Sequence, residues 1–71
     1  MVNVNKLKAK MVENGINVET LADRINMDRN TLYRRLSDGN KFTIGEADAI
    51  SRELSLSADE VHAIFFTQFV A

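Results

Sequence analysis

The fold predicted for this 71-residue chain is a compact all-α domain of five short helices, built around a helix-turn-helix. Three observations predict it. Apolar residues recur at helical spacing, most regularly at Val4, Leu7, Met11 and at Ala47, Ile50, Leu54. Two segments open with a hydroxyl residue followed three positions on by glutamate, at Thr43–Glu46 and Ser57–Glu60, the capping-box pattern. Proline is absent and glycine occurs only at 15, 39 and 45, which suits helices with tight punctuation.

The first helix is predicted from about Val4 to Asn14, with Asn3 as its cap and Val4, Leu7 and Met11 as its apolar stripe. Asn14-Gly15 supplies the left-handed residue that commonly stops a helix, and Ile16 packs across the break. A second helix starts after Asn17, whose side chain can accept from an orphan backbone N–H. Leu21, Ala22 and Ile25 form its buried stripe, and the small Ala22 lets another helix cross closely. Asn26 tolerates the left-handed conformation, and Asp28 caps a third helix after a turn of three or four residues. On a wheel of roughly 100° per residue, Arg29, Asn30, Tyr33, Arg34 and Ser37 share one arc. Leu32 and Leu36 occupy the opposite one. Arg35 falls on the inner flank, its stem along the core and its head directed at a carboxylate or a phosphate. Ser37-Asp38-Gly39-Asn40 reads as a turn cluster leading to Lys41 and Phe42. The two capping boxes then open a fourth helix and a fifth, the last with Val61, Ile64 and Phe65 inward.

Residues 1–66 read as the domain and 67–71 as an apolar tail. Phe65, Phe66, Phe69 and Val70 place bulk all round the last helix, so Phe66, Phe69 and Val70 are candidates for a dimer contact. A wrap of the tail back onto its own domain is the other arrangement. A chain this short buries only roughly 60% of its unfolded surface, and small scaffolds usually add a disulfide, a metal or a partner. Cysteine is absent and His62 stands alone, which leaves a partner chain as the supplement. No metal or cofactor is expected. No run approaches the roughly 18 apolar residues of a membrane span, and the start lacks a signal-peptide core, so a cytoplasmic protein is expected.

The net charge of −1 conceals an asymmetry. Residues 1–41 carry eight Lys and Arg against five Asp and Glu, a balance of +3, and residues 42–71 carry one against five, a balance of −4. Such a split fits a surface that meets a polyanion on one side. Enzyme chemistry finds no footing. His62 has acidic sequence neighbours but no nucleophile or metal partner, and no phosphate loop or nucleophile motif occurs.

Readout of DNA has the side chains it needs. Arginine bonds guanine O6 and N7 together, and asparagine does the same with adenine N6 and N7. Arg29, Asn30 and Arg34 lie in the first two turns of the third helix, the part that enters the major groove in helix-turn-helix proteins. Tyr33 between them can meet a thymine methyl or a phosphate. Phosphate contacts are expected from Asn17 and the backbone N–H groups of Val18 and Glu19, and from Ser37, Asn40 and Lys41 past the recognition helix.

The segment containing Ala22, Asn26, Met27 and Leu32 resembles the helix-turn-helix of the lambda-type phage Cro/repressor family over about residues 5–66. Ala22 matches the family's small residue, Asn26 stands where glycine is usual, and Leu32 lies where the recognition helix meets the core. The Phe-Thr-x-x-Glu start at Phe42 and the Ile-Phe-Phe end at Phe66 are similar to short phage-repressor-like proteins of Gram-positive bacteria. The resemblance implies base contacts by Arg29, Asn30 and Arg34, and matches Tyr33 to a further candidate base-contacting position. It also implies a dimer on a two-fold double-stranded DNA operator and a role in repression. Two positions depart from the pattern: Val18 replaces a frequent glutamine, and Arg35 stands where an aliphatic residue is common. Two other classes stay open, a protein-interaction module using the Phe-rich last helix and an excisionase-like factor that bends DNA.

Overall fold

The computed structural model describes residues 2–38 and 42–66, which form five α-helices: α1 (Val4–Glu13), α2 (Val18–Arg24), α3 (Arg29–Asp38), α4 (Ile44–Glu53) and α5 (Ala58–Phe65). Each start carries the side chain its sequence promised. Asn3 accepts from the Lys6 amide at 3.1 Å, Asn17 from Thr20 at 2.8 Å, and Asp28 from Thr31 at 3.2 Å. Thr43 with Glu46, and Ser57 with Glu60, close complete capping boxes. Together these caps satisfy orphan donors in the first turn of all five helices.

Three helices end in the same way. After α1 the left-handed residue is Gly15 (φ 65°), after α2 it is Asn26 (φ 56°), and after α4 it is Ser55 (φ 52°). In each case the next residue's N–H returns to a carbonyl five positions back: Ile16 to Met11, Met27 to Ala22, and Leu56 to Ser51, all at 2.9 Å. Such a Schellman ending places an apolar side chain against the last turn, and Ile16 and Met11 are both buried. Glycine and asparagine announce two of these stops. Serine at 55 announces nothing, because the bonds to the preceding turn and the packing of Leu54 and Leu56 hold it there. Helix α1 stops one residue before the predicted Asn14, whose side-chain N–H₂ donates to the Lys10 carbonyl at 2.9 Å. At the other end of α3, Ser37 and Asp38 belong to the helix, not to a turn. Buried Leu36 and the pinned Arg35 carry the helix past residues that would otherwise break it.

Leu7, Leu21, Leu32, Ile50 and Ile64, one from each helix, are fully buried and form the centre of the core. Met11, Ala22, Leu36, Ala47, Leu54 and Phe65 close around them. Val4, Ile25 and Val61, expected inward, are only half-buried at its edge. Phe42 meets Phe65 edge to face with centroids 5.8 Å apart, covering the entry to α4. The N-terminal segment is tied to the end of α5 by the Asn3 N–H donating to the Ile64 carbonyl at 2.7 Å.

Charge also joins the helices. Lys10 on α1 bonds Glu60 on α5, Arg35 on α3 bonds Glu46 on α4, and Arg24 on α2 approaches Glu53 on α4 at 3.8 Å. The Lys10 ammonium and the Ser57 amide hold the Glu60 carboxyl down at about 2. A carboxylate held below its ordinary value stabilises the fold fully above about pH 5, and that stabilisation is lost as the pH falls toward 2. Glu46, held low first by Arg35, acts in the same direction. Replacing Glu60 by glutamine should therefore flatten the acid limb of a plot of melting temperature against pH. An unchanged limb would show that the Lys10 pair contributes nothing.

Candidate nucleic-acid interface

Helices α2 and α3 are joined by the four residues Ile25–Asp28 and pack closely through Leu21 and Ala22 on one side and Leu32 and Leu36 on the other. Asn26, left-handed, makes the corner. Ala22 has no exposed surface, so nothing larger than its methyl group fits at the crossing. With Leu32 and Leu36 committed to the core, the opposite arc of α3 must face solvent. Arg29, Asn30, Tyr33, Arg34 and Ser37 are all exposed there. The structure thus brings these five predicted residues onto one surface. Asn40 and Lys41, like Phe69 and Val70, lie outside the described residues.

A family model described as helix-turn-helix, of the Cro type, matches residues 7–61, most of the chain. The chain belongs to the helix-turn-helix family. No match was found among curated proteins or among solved structures. Membership makes this a DNA-binding transcription-regulator domain whose partner is double-stranded DNA. In this helix-turn-helix, α2 is the first motif helix and α3 the second, the one that enters the major groove in proteins of this kind.

The outward arc of α3 carries bonds the sequence did not disclose. The Tyr33 hydroxyl donates to the Glu19 carboxylate across the gap between α3 and α2. Arg29 Nη2 donates to Asp23 Oδ2 at 3.3 Å, and Arg34 Nη2 to Thr31 Oγ1 at 3.3 Å. Among the described residues the Asn30 amide has no side-chain partner. The Tyr33 hydroxyl, then the backbone N–H of Glu19 and the nearby Arg29 charge, keep the Glu19 carboxyl below its usual range, while Glu19 pushes the Tyr33 phenol up. Glu19 is therefore ionised at neutral pH and Tyr33 keeps its proton. In the sequence the Glu19 and Asp23 carboxylates counted only as charges, because a carboxylate on a small motif helix looks like an ordinary solvated charge. A tyrosine fourteen residues away gave no sign that it would land beside one.

Arg35 settles the question its wheel position raised. Its Nε and Nη2 reach the two oxygens of Glu46, each at 3.0 Å, in a bidentate pair. Glu46 Oε1 also accepts from the Thr43 amide at 2.9 Å, so one carboxylate caps α4 and clamps α3 to it. The head of Arg35 is committed to the scaffold, which leaves Arg29 and Arg34 as the arginines of the outward arc of α3. At the start of α2, Asn17 uses its side-chain oxygen as the helix cap, which leaves its N–H₂ as the donor of that side chain. Lys8, which the sequence reading passed over, lines the same hollow of about 380 Å³ as Asn17, Val18, Glu19 and Tyr33. It brings a cation to that end of the motif.

Proposed function

We propose that this protein is a small transcriptional repressor of the phage or prophage type, reading a two-fold operator as a dimer in the cytoplasm of a bacterial host. The observation that carries the reading is the exposed arc of α3, where Arg29, Asn30, Tyr33 and Arg34 stand above the buried seam of Leu32 and Leu36. Arg29, Asn30 and Arg34 contact base edges and Tyr33 lies between them. Asn17, Val18, Ser37, Asn40 and Lys41 hold the phosphates on either side, with Lys8 added beside Asn17. Selection of bound sites from a random duplex pool tests this reading. A selected consensus with two inverted half-sites about one helical turn apart would support it, and failure to enrich any sequence would refute it.

Lys41→Ala should weaken binding to all sequences alike and lower the slope of log affinity against log salt by about one. Measurement at several salt concentrations, on the selected site and on a scrambled one, checks this. A loss confined to the selected site would instead make Lys41 a base contact.

The dimer is assigned to Phe66, Phe69 and Val70. What supports it is an apolar strip beside Phe66: Ile44 is 83% exposed, and with Ala47, Val61 and Phe66 it lines a hollow of about 190 Å³. Phe66 itself is half-buried, its ring tilted against His62 with centroids 6.3 Å apart. Val70→Lys is expected to shift sedimentation from dimer to monomer with the helical signal intact. A parent chain that sediments as a monomer at all concentrations would refute the assignment.

A further inference from the structure

The bonding of Tyr33 decides what that part of the reading face can recognise. A phenol has one proton, and here it goes to Glu19. What remains outward is acceptor only: the other lone pairs of an ionised carboxylate and those of the phenol oxygen. A phosphate is repelled by such a pair. Guanine O6, guanine N7 and thymine O4 are acceptors in the major groove and find no donor in it. An exocyclic amino group does fit, either cytosine N4 or adenine N6. Both present a donor in the major groove, and a carboxylate accepting from cytosine N4 is an established kind of contact.

The position suits the task. Glu19 lies in the first turn of α2, half-buried against Tyr33, at the edge where the first motif helix approaches the duplex. Arg29 and Lys8 lie close by, so the charge is carried among cations that themselves draw phosphates. Asp23 is different: it bonds Arg29 at 3.3 Å between two well-exposed side chains, and such a pair yields readily to a guanine or phosphate. The bond from Tyr33 to Glu19 crosses the same two helices, but there the carboxylate is half-buried.

We infer that Glu19 and Tyr33 act as one acceptor unit selecting an amino group of cytosine or adenine in the major groove, which makes Glu19 a specificity-determining residue outside the recognition helix. The inference rests on the reading of α3 as the base-contacting helix. Glu19 penalises acceptors at its position, and Tyr33 orients it.

The test uses the full chain and a random duplex pool, with the parent, Glu19→Gln and Arg34→Ala selected in parallel. The parent consensus should contain a position restricted to cytosine or adenine on one strand. In competition binding, changing that base should cost the parent roughly five- to tenfold, the effect of one hydrogen bond made or left unmet. Glu19→Gln should reduce the cost to within about twofold, because an amide both donates and accepts. It should also bind scrambled duplex more tightly than the parent, since a negative charge facing phosphate is gone. Tyr33→Phe, which frees the carboxylate from its anchor, should relax the same position and no other. If Arg34→Ala alters the consensus while Glu19→Gln leaves every position as in the parent, the inference is overturned and the reading helix stands. If neither variant alters it, the assignment of α3 fails, and the inference with it.

Discussion

Leu32→Ala is expected to lower the melting temperature by at least about 12 °C. Leu32 has no exposed surface and stands where α3 meets α2, so its removal leaves a cavity as well as lost burial. Leu→Ala changes at such sites cost about 3–5 kcal/mol. A natural domain of this length has on the order of 4–10 kcal/mol in total, and each kcal/mol corresponds to about 4–8 °C at this size. At the lower end of that range the variant sits near its unfolding midpoint at physiological temperature, and DNA binding falls with the folded fraction. Val12, 78% exposed on α1, is the control: Val12→Ala should stay within about 0.5 kcal/mol of the parent. Thermal melts followed by circular dichroism measure both. A Leu32→Ala melt within a few degrees of the parent would mean that the α2–α3 seam repacks without a cavity, and that the reading arc is not held as rigidly as its burial implies.

Arg34→Ala should behave in the opposite way, with the fold unaffected and discrimination lost. The side chain is exposed and, among the described residues, bonds only Thr31 on its own helix. A good bidentate contact to guanine supplies about 1–3 kcal/mol of preference over the wrong base, at least fivefold. In competition between the selected operator and single-base variants, Arg34→Ala should flatten the preference at one position of each half-site. Asn30→Ala should flatten a different one. Non-specific affinity changes little for Asn30→Ala, which removes no charge, and falls modestly for Arg34→Ala. Two variants that discriminate as well as the parent would show that the outward arc of α3 is not the reading surface. Arg35→Ala is the contrasting case: it breaks the bidentate pair with Glu46 and should lower stability while sparing base preference.

Much of the local structure was legible in the sequence because it depends on neighbours within one turn. A hydroxyl or amide side chain reaches an N–H three residues on, so Asn3, Asn17, Asp28, Thr43 and Ser57 could all be assigned as caps. A left-handed residue costs glycine and asparagine little, so the stops at Gly15 and Asn26 could be assigned too. The periodic Leu32 and Leu36 put Arg29, Asn30, Tyr33 and Arg34 on the outer arc before any coordinate was known. These are the parts that make the chain a helix-turn-helix.

The tertiary structure decided what lies across helices, where spacing in the chain carries no information. Ser55 is left-handed where Leu54 packs in the core and the Leu56 N–H bonds back to Ser51. The charge split between the two halves of the chain had a simple reading, a basic face toward DNA. In the fold, Lys10, Arg24 and Arg35 are instead turned to Glu60, Glu53 and Glu46, so part of that split holds helices together. Whether Arg35 would meet a carboxylate or a phosphate, and whether Tyr33 would keep its proton for DNA, depended on how closely α3 packs on α4 and α2. That distance is set by side chains such as Ala22, Ala47 and Leu36 in the core. The sequence by itself determined which residues face outward on the recognition helix. Only the packing of the helices determined which of their hydrogen bonds are already taken.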